Sequence, residues 1–101
     1  MPLELGDYQF QGPFKDAAPV RNEPGVYVVL GDNNDNNFKI LEVGESETLR
    51  DAVNDKSKKE CWDKQGIERF VVAVLYSEGG SPEDRKKTKD TIKSQFSPPC
   101  G

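Results

Sequence analysis

Apolar residues in this chain gather into three β-like runs separated by polar or turn-forming stretches. Val26 to Leu30 is β-branched, long-aliphatic and aromatic at Tyr27, and it comes after the turn signal Glu23-Pro24-Gly25. Phe38 to Val43 forms a second run. Between them lies Gly31-Asp32-Asn33-Asn34-Asp35-Asn36-Asn37, whose side chains bond their own backbone and suit a hairpin. The third run, Phe70 to Tyr76, is continuously apolar and predicts the central strand of a sheet covered on both faces. In the second run strict alternation places Phe38, Ile40 and Glu42 on one face and Lys39, Leu41 and Val43 on the other. Neither set is purely apolar, so the alternation leaves the buried side open.

Helical spacing fills the gaps. Leu49, Ala52 and Val53 form a narrow apolar stripe, with Ser46 as the expected N-cap and Gly44 letting the strand turn into the helix. A second piece is expected from Lys58 to Gln65, stopped by Gly66 and anchored by Cys61 and Trp62. Ser81-Pro82-Glu83-Asp84 opens a third helix with a capping hydroxyl, a proline and two acids. Thr88, Ile92 and Phe96 are expected to face inward, and Pro98-Pro99 ends the helix. Residues 1–23, punctuated by Gly12-Pro13 and Pro19, read as an irregular lead-in tacked on by Phe10, Phe14 and Val20. The order strand, strand, helix, helix, strand, helix over residues 24–101 predicts an α+β domain: a small three-stranded antiparallel sheet flanked by helices.

Composition narrows the functional classes. At 101 residues the chain is one domain, and its 34% apolar content is below the usual share of about 45–50%. The net charge of −4 argues against a strongly basic nucleic-acid binder. Lysines nevertheless cluster at Lys56, Lys58, Lys59 and Lys64, and again with Arg85 at Lys86, Lys87, Lys89 and Lys93, while acids crowd between Asp32 and Asp51. The bland reading of such runs is a solvated helix face. Without histidine or a C-x-x-C pair, a zinc site of the usual ligand set is not expected. No apolar stretch reaches the ~20 residues needed to span a bilayer. Cys61 and Cys100, with no secretory pattern at the start of the chain, read as reduced thiols in a cytoplasmic protein, although one disulfide between them is conceivable.

Gly25-Val26-Tyr27, followed by Val43-Gly44-Glu45-Ser46 and the ending Phe96-Ser97-Pro98-Pro99-Cys100-Gly101, resembles the GIY-YIG nuclease domain over roughly Pro24 to Gly101. The resemblance implies a metal-dependent nuclease. One tyrosine on each of two paired strands faces a phosphodiester, an arginine on the first helix steadies the phosphate charge, and a glutamate on the later helix holds magnesium. A hard cation on carboxylate oxygen would neutralise the phosphate and stabilise the leaving oxygen.

Carried onto this chain, the pattern keeps Tyr27 and loses the rest. The second tyrosine falls on Glu42. The arginine falls on Ala52, with Arg50 two residues earlier and about 200° away around a helix. The metal-binding glutamate falls on Lys89, beside Asp90. Like charges 4 Å apart repel by about 4 kcal/mol at an effective dielectric of about 20, so a lysine there opposes a cation. The resemblance therefore implies a domain that has lost ordinary catalysis, needs no cofactor and acts as a nucleic-acid or protein binding module. Gly44, Ser46, Lys56, Lys58, Lys59, Lys86 and Lys89 are the candidate nucleic-acid contacts. The alternative is an active Mg²⁺-dependent endonuclease with a rearranged site, in which Glu42, Glu45 or Asp90 replaces the missing ligand beside Tyr27 and Arg50. Tyr27 taken alone reads as a half-buried strand aromatic, and Trp62 as a core anchor rather than a base-stacking platform.

Overall fold

The computed structural model describes residues 3–5, 8–15, 18–32, 38–54, 59–64, 69–76 and 81–99. Its elements run β1 (Leu3–Leu5), β2 (Tyr8–Phe14), β3 (Gly25–Asp32), β4 (Phe38–Ser46), α1 (Leu49–Asn54), α2 (Lys59–Asp63), β5 (Arg69–Tyr76) and α3 (Pro82–Phe96). The expected hairpin partners are neighbours: β3 pairs antiparallel with β4, from Gly25 opposite Ser46 to Asp32 opposite Phe38. On its other edge β3 pairs with β5, placing Tyr27 opposite Val74 and Val29 opposite Val72. The continuously apolar β5 is an interior strand, as its composition predicts, between β3 and β2.

The body is thus an α+β domain with a four-stranded antiparallel sheet, β2-β5-β3-β4, not the three strands expected. A short β1 extends it by pairing with residues 8–10 of β2. The added strands come from the segment read as an irregular lead-in. Tyr8 and Phe10 alternate with Gln9 and Gln11, and Phe10 is fully buried. Gly12-Pro13 suggests a turn but is absorbed inside β2, where pairing steps from Gln11–Val74 to Phe14–Val72. One extra residue on β2 makes this a bulge, and Gly12 supplies the positive φ of 119° it needs.

Period-two alternation along β3 and β5 divides the core into two faces. Val26, Val28, Leu30 and Ala73, with Phe10, Ile40 and Val43, pack under Ile92 of α3. Tyr27, Val29, Val72, Val74 and Phe70 turn to the other face. There they meet Leu49 and Val53 of α1, Trp62 of α2, and Val20. The α3 start follows its sequence signals: Ser81 Oγ accepts the Asp84 amide at 3.2 Å, and Asp84 Oδ2 accepts the Ser81 amide at 3.4 Å. Its end is closed by Ser97 in the left-handed region, whose amide donates to the Lys93 carbonyl at 2.9 Å.

Two expectations about side chains change. The inward line of α3 is Arg85, Thr88, Lys89 and Ile92, whereas Phe96 is 41% exposed. Arg85 is only 5% exposed. Its Nε donates to Glu45 Oε2 at 3.0 Å, and its Nη2 lies 3.7 Å from Glu47 Oε1, so an ion pair fastens α3 to the end of β4. Cys61, read as a reduced thiol, is disulfide-bonded, and Cys100 is the only other cysteine in the chain. Cys61 Sγ also lies 3.9 Å from the Pro99 carbonyl oxygen, a packing contact because a disulfide sulfur carries no proton. Among the described residues no helix is long and apolar enough to cross a membrane.

Ile92 and Phe96, one turn apart, test this packing. Ile92→Ala is expected to lower the unfolding free energy by about 2–5 kcal/mol in urea titrations. Phe96→Ala should change it by only about 0.5 kcal/mol. Equal losses would contradict the inward line of α3.

Candidate functional site

The candidate site begins with Tyr27 because β3 places it on the face covered by α1 and α2, half-buried between the two apolar clusters there. Gly44 is its directly opposed partner. A Cβ added at Gly44 would stand 2.4 Å from both the Tyr27 hydroxyl and Cζ. The ring therefore lies across the strand pair with its tip over Gly44, and only a residue without a side chain fits beneath it. This is what Gly44 does: β4 continues to Ser46 and does not turn into a helix there.

Glu42 stands two residues along from Gly44, opposite Val29. It is a diagonal neighbour of Tyr27 on the same face, at a Cα distance of about 7–8 Å in such pairs. The position in which the resemblance expects a second phosphate-facing tyrosine is only 3% exposed. Its Oε1 is buried and accepts no hydrogen bond, although the residue is engaged by another interaction. Nearby, Trp62 packs on Phe70 with ring centroids 5.7 Å apart, and its indole N–H is buried without an acceptor. Such an orphaned donor costs about 1–3 kcal/mol.

The chain before β3 supplies a strap over α1. Val20 is fully buried against Leu49 and Val74. The Glu23 carbonyl accepts the Leu49 amide at 3.1 Å, and Asn22 Oδ1 accepts the Asp51 amide at 3.3 Å, so the strap caps the first turn of α1. Arg50 Nε donates to the Val20 carbonyl at 2.7 Å. The guanidinium considered for phosphate binding is thus turned to the strap. Arg21 closes the strap's outer end, 4.2 Å above the Tyr76 ring and 2.9 Å from Glu23. Ser46 is not the N-cap: its Oγ accepts the Thr48 amide at 3.0 Å, and the Thr48 carbonyl accepts the first helical bond, from Ala52.

The positions carried over from the resemblance do not converge. Tyr27, Glu42 and Ala52 belong to the face under α1 and α2. Lys89 belongs to α3, across the sheet. The substitute ligands separate as well: Glu42 is buried on the first face, Glu45 is paired with Arg85 on the second, and Asp90 is exposed on α3. Among the described residues no three acids, cysteines or histidines are grouped to hold a metal ion.

The lysines give a different arrangement. At 100° per residue, Lys86, Lys89 and Lys93 fall within about 60° of one another on α3. They form one flank that borders the inward line and shares Lys89 with it, spanning about 10 Å along the axis, with Lys86 exposed and Lys89 and Lys93 half-buried. Lys87 lies farther round with the acids. None of these four lysines has an ion pair among the described residues, in contrast to Arg85. Lys59 opens α2, with its side chain outside the described residues, and Lys56 and Lys58 lie outside them altogether. The sequence reading missed Lys93 as a member of this flank and Arg85 as a buried ion. The seven-residue spacings 85–92 and 86–93 carry both signals, because they mark two adjacent stripes of one helix. The strap has no comparable signal: nothing in Val20-Arg21-Asn22-Glu23 predicts which helix it caps.

No protein-family model matches the chain, and neither does any curated protein or solved structure at a significant level.

The contact between Tyr27 and Gly44 is testable as a double-mutant cycle. Gly44→Ala alone should destabilise by about 1–3 kcal/mol through overpacking. In a Tyr27→Ala background the same change should be nearly neutral, giving a coupling of at least about 1 kcal/mol in chemical denaturation. Additive effects would show that the ring does not lie over the glycine.

Proposed function

We propose that the chain is a GIY-YIG-like domain without catalytic function that binds the phosphate backbone of nucleic acids along one flank of α3. The observation that carries this reading is the row Lys86, Lys89 and Lys93, three cations on one flank of a well-capped helix with no carboxylate paired to them among the described residues. Lysine ammoniums attract phosphate as point charges and release its counterions, and they need no shaped pocket to do so. The loss of cleavage is supported by the separation of the positions that would have to converge on one phosphate. A phosphodiester-cutting centre needs its groups held in near-attack geometry at about 3–3.5 Å. Here the sheet stands between Tyr27 and Lys89, and Arg50 is held by the Val20 carbonyl. The net charge of −4 fits local, non-specific contact better than tight binding.

Retention of single-stranded, duplex and branched DNA by the full chain, with and without Mg²⁺ or Mn²⁺, tests both parts. Binding without cutting is expected. Lys86→Gln/Lys89→Gln/Lys93→Gln should flatten the dependence of log affinity on log salt by about 2–3, at roughly 0.9 for each phosphate no longer neutralised. No retention at low salt would overturn the binding function. Cleavage that Tyr27→Phe abolishes would restore the metal-dependent nuclease.

A further inference from the structure

We propose that the disulfide at Cys61 is a redox latch, which holds α2 over the Tyr27–Glu42 face and opens to dithiol reductants. α2 has five residues, too few to be stable as an isolated helix. Among the described residues, two of its side chains attach it. One is Trp62, seated on Val29 and Leu41 and tilted against Phe70. The other is the covalent bond at Cys61, the residue immediately before it.

The seated position is not an optimal one for Trp62, because its indole N–H is buried there with no acceptor. Release would return that donor to water. The rest of the face does not depend on α2: α1 is fixed independently by Leu49 in the core and by the capping strap from Val20 to Glu23. The sheet likewise keeps its strand pairing and the whole of the α3 face. Opening the bond therefore frees one small element, uncovering Val29 and Leu41 beside Tyr27 and Glu42.

The chemistry is ordinary thiol–disulfide exchange. Cys61 is half-buried, not sealed in the core. A thiolate of the dithiol attacks one sulfur of the bond, forming a mixed disulfide and expelling the other sulfur as thiolate. The reductant's second thiol then displaces the protein sulfur. The protein gains two electrons and two protons and ends with two thiols, while the dithiol is oxidised to its own disulfide. Cys61 and Cys100 are the only cysteines, so the count is unambiguous.

Trp62 is the only tryptophan and reports on the latch directly. The full chain is purified without reductant and then titrated with dithiothreitol. Free thiols, tryptophan emission, acrylamide quenching and far-ultraviolet circular dichroism are followed together. The expected result is no free thiol before and two after reduction, with emission shifting to the red and quenching rising several-fold while the sheet signal persists. Cys61→Ser should show the exposed tryptophan without reductant, and Cys100→Ser serves in its place if that variant does not fold. Two free thiols in the purified chain overturn the latch. So does a tryptophan that stays shielded after complete reduction, or a reduction that unfolds the sheet as well.

Discussion

The double burial of β3 is the constraint on which the other elements depend. β3 is hydrogen-bonded along both edges and covered on both faces, with Val26, Val28 and Leu30 toward α3 and Tyr27 and Val29 toward α1 and α2. Val26, Val28, Val29 and Leu30 are each at most 1% exposed. Full burial of one such side chain contributes about 1.5–3 kcal/mol. The four together are comparable with the net stability of a small domain, about 5–15 kcal/mol. A slip of one residue would carry Tyr27 and Val29 under α3 and strip both helix layers of their partners, so the register is strongly specified.

The outer strand β4 accommodates that fixed register through a bulge. Val29 is opposite Glu42 and Leu30 is opposite Ile40, which leaves Leu41 as the extra residue. Leu41 joins the cluster under Trp62, while Ile40 and Val43 both join the α3 face. The bulge thus lets a strand carrying Lys39, Glu42 and Glu45 present apolar residues to both layers. It also places Glu45 where Arg85 of α3 reaches it. Charges and a bulge together protect an edge strand from pairing with other chains.

The legible parts of the fold share a local cause. The hairpin partners, the interior strand β5 and the capped start of α3 each follow from a few adjacent residues: a turn signal, an apolar run, a Ser-Pro-Glu-Asp sequence. What was not legible depends on contacts distant in the chain. β2 was hidden because Gly12-Pro13 signals a turn locally but forms a bulge once β5 is alongside. The faces of β4 were unreadable because period two fails at Leu41. Ser46 looked like an N-cap, yet the strap from residues 20–23 supplies the capping groups to Leu49 and Asp51. Arg85 looked like one more surface cation until Glu45 and Glu47 were brought to it. At the candidate site, a shared face for Tyr27 and Glu42 was implied only by the GIY-YIG resemblance, since the alternation of β4 left its faces open; the far placement of Lys89 was not legible, because strand order alone does not say which face the last helix covers.

That placement separates the two chemistries the chain carries. On the α1 and α2 side, apolar packing surrounds Tyr27, and the carboxylate of Glu42 is withdrawn from water. On the α3 side, exposed Lys86 and half-buried Lys89 and Lys93 stand beside an arginine neutralised by two glutamates. Binding a polyanion needs only the second side, and its strength is set by charge and salt, not by the fit of a pocket. The positions that the GIY-YIG resemblance would bring to a single phosphate lie on both sides, and no rearrangement of side chains crosses a sheet whose interior strand β3 is buried on both faces. The lysine flank of α3 and the half-buried tyrosine packed on the opposite face are therefore separate features of the fold, and either can change without the other.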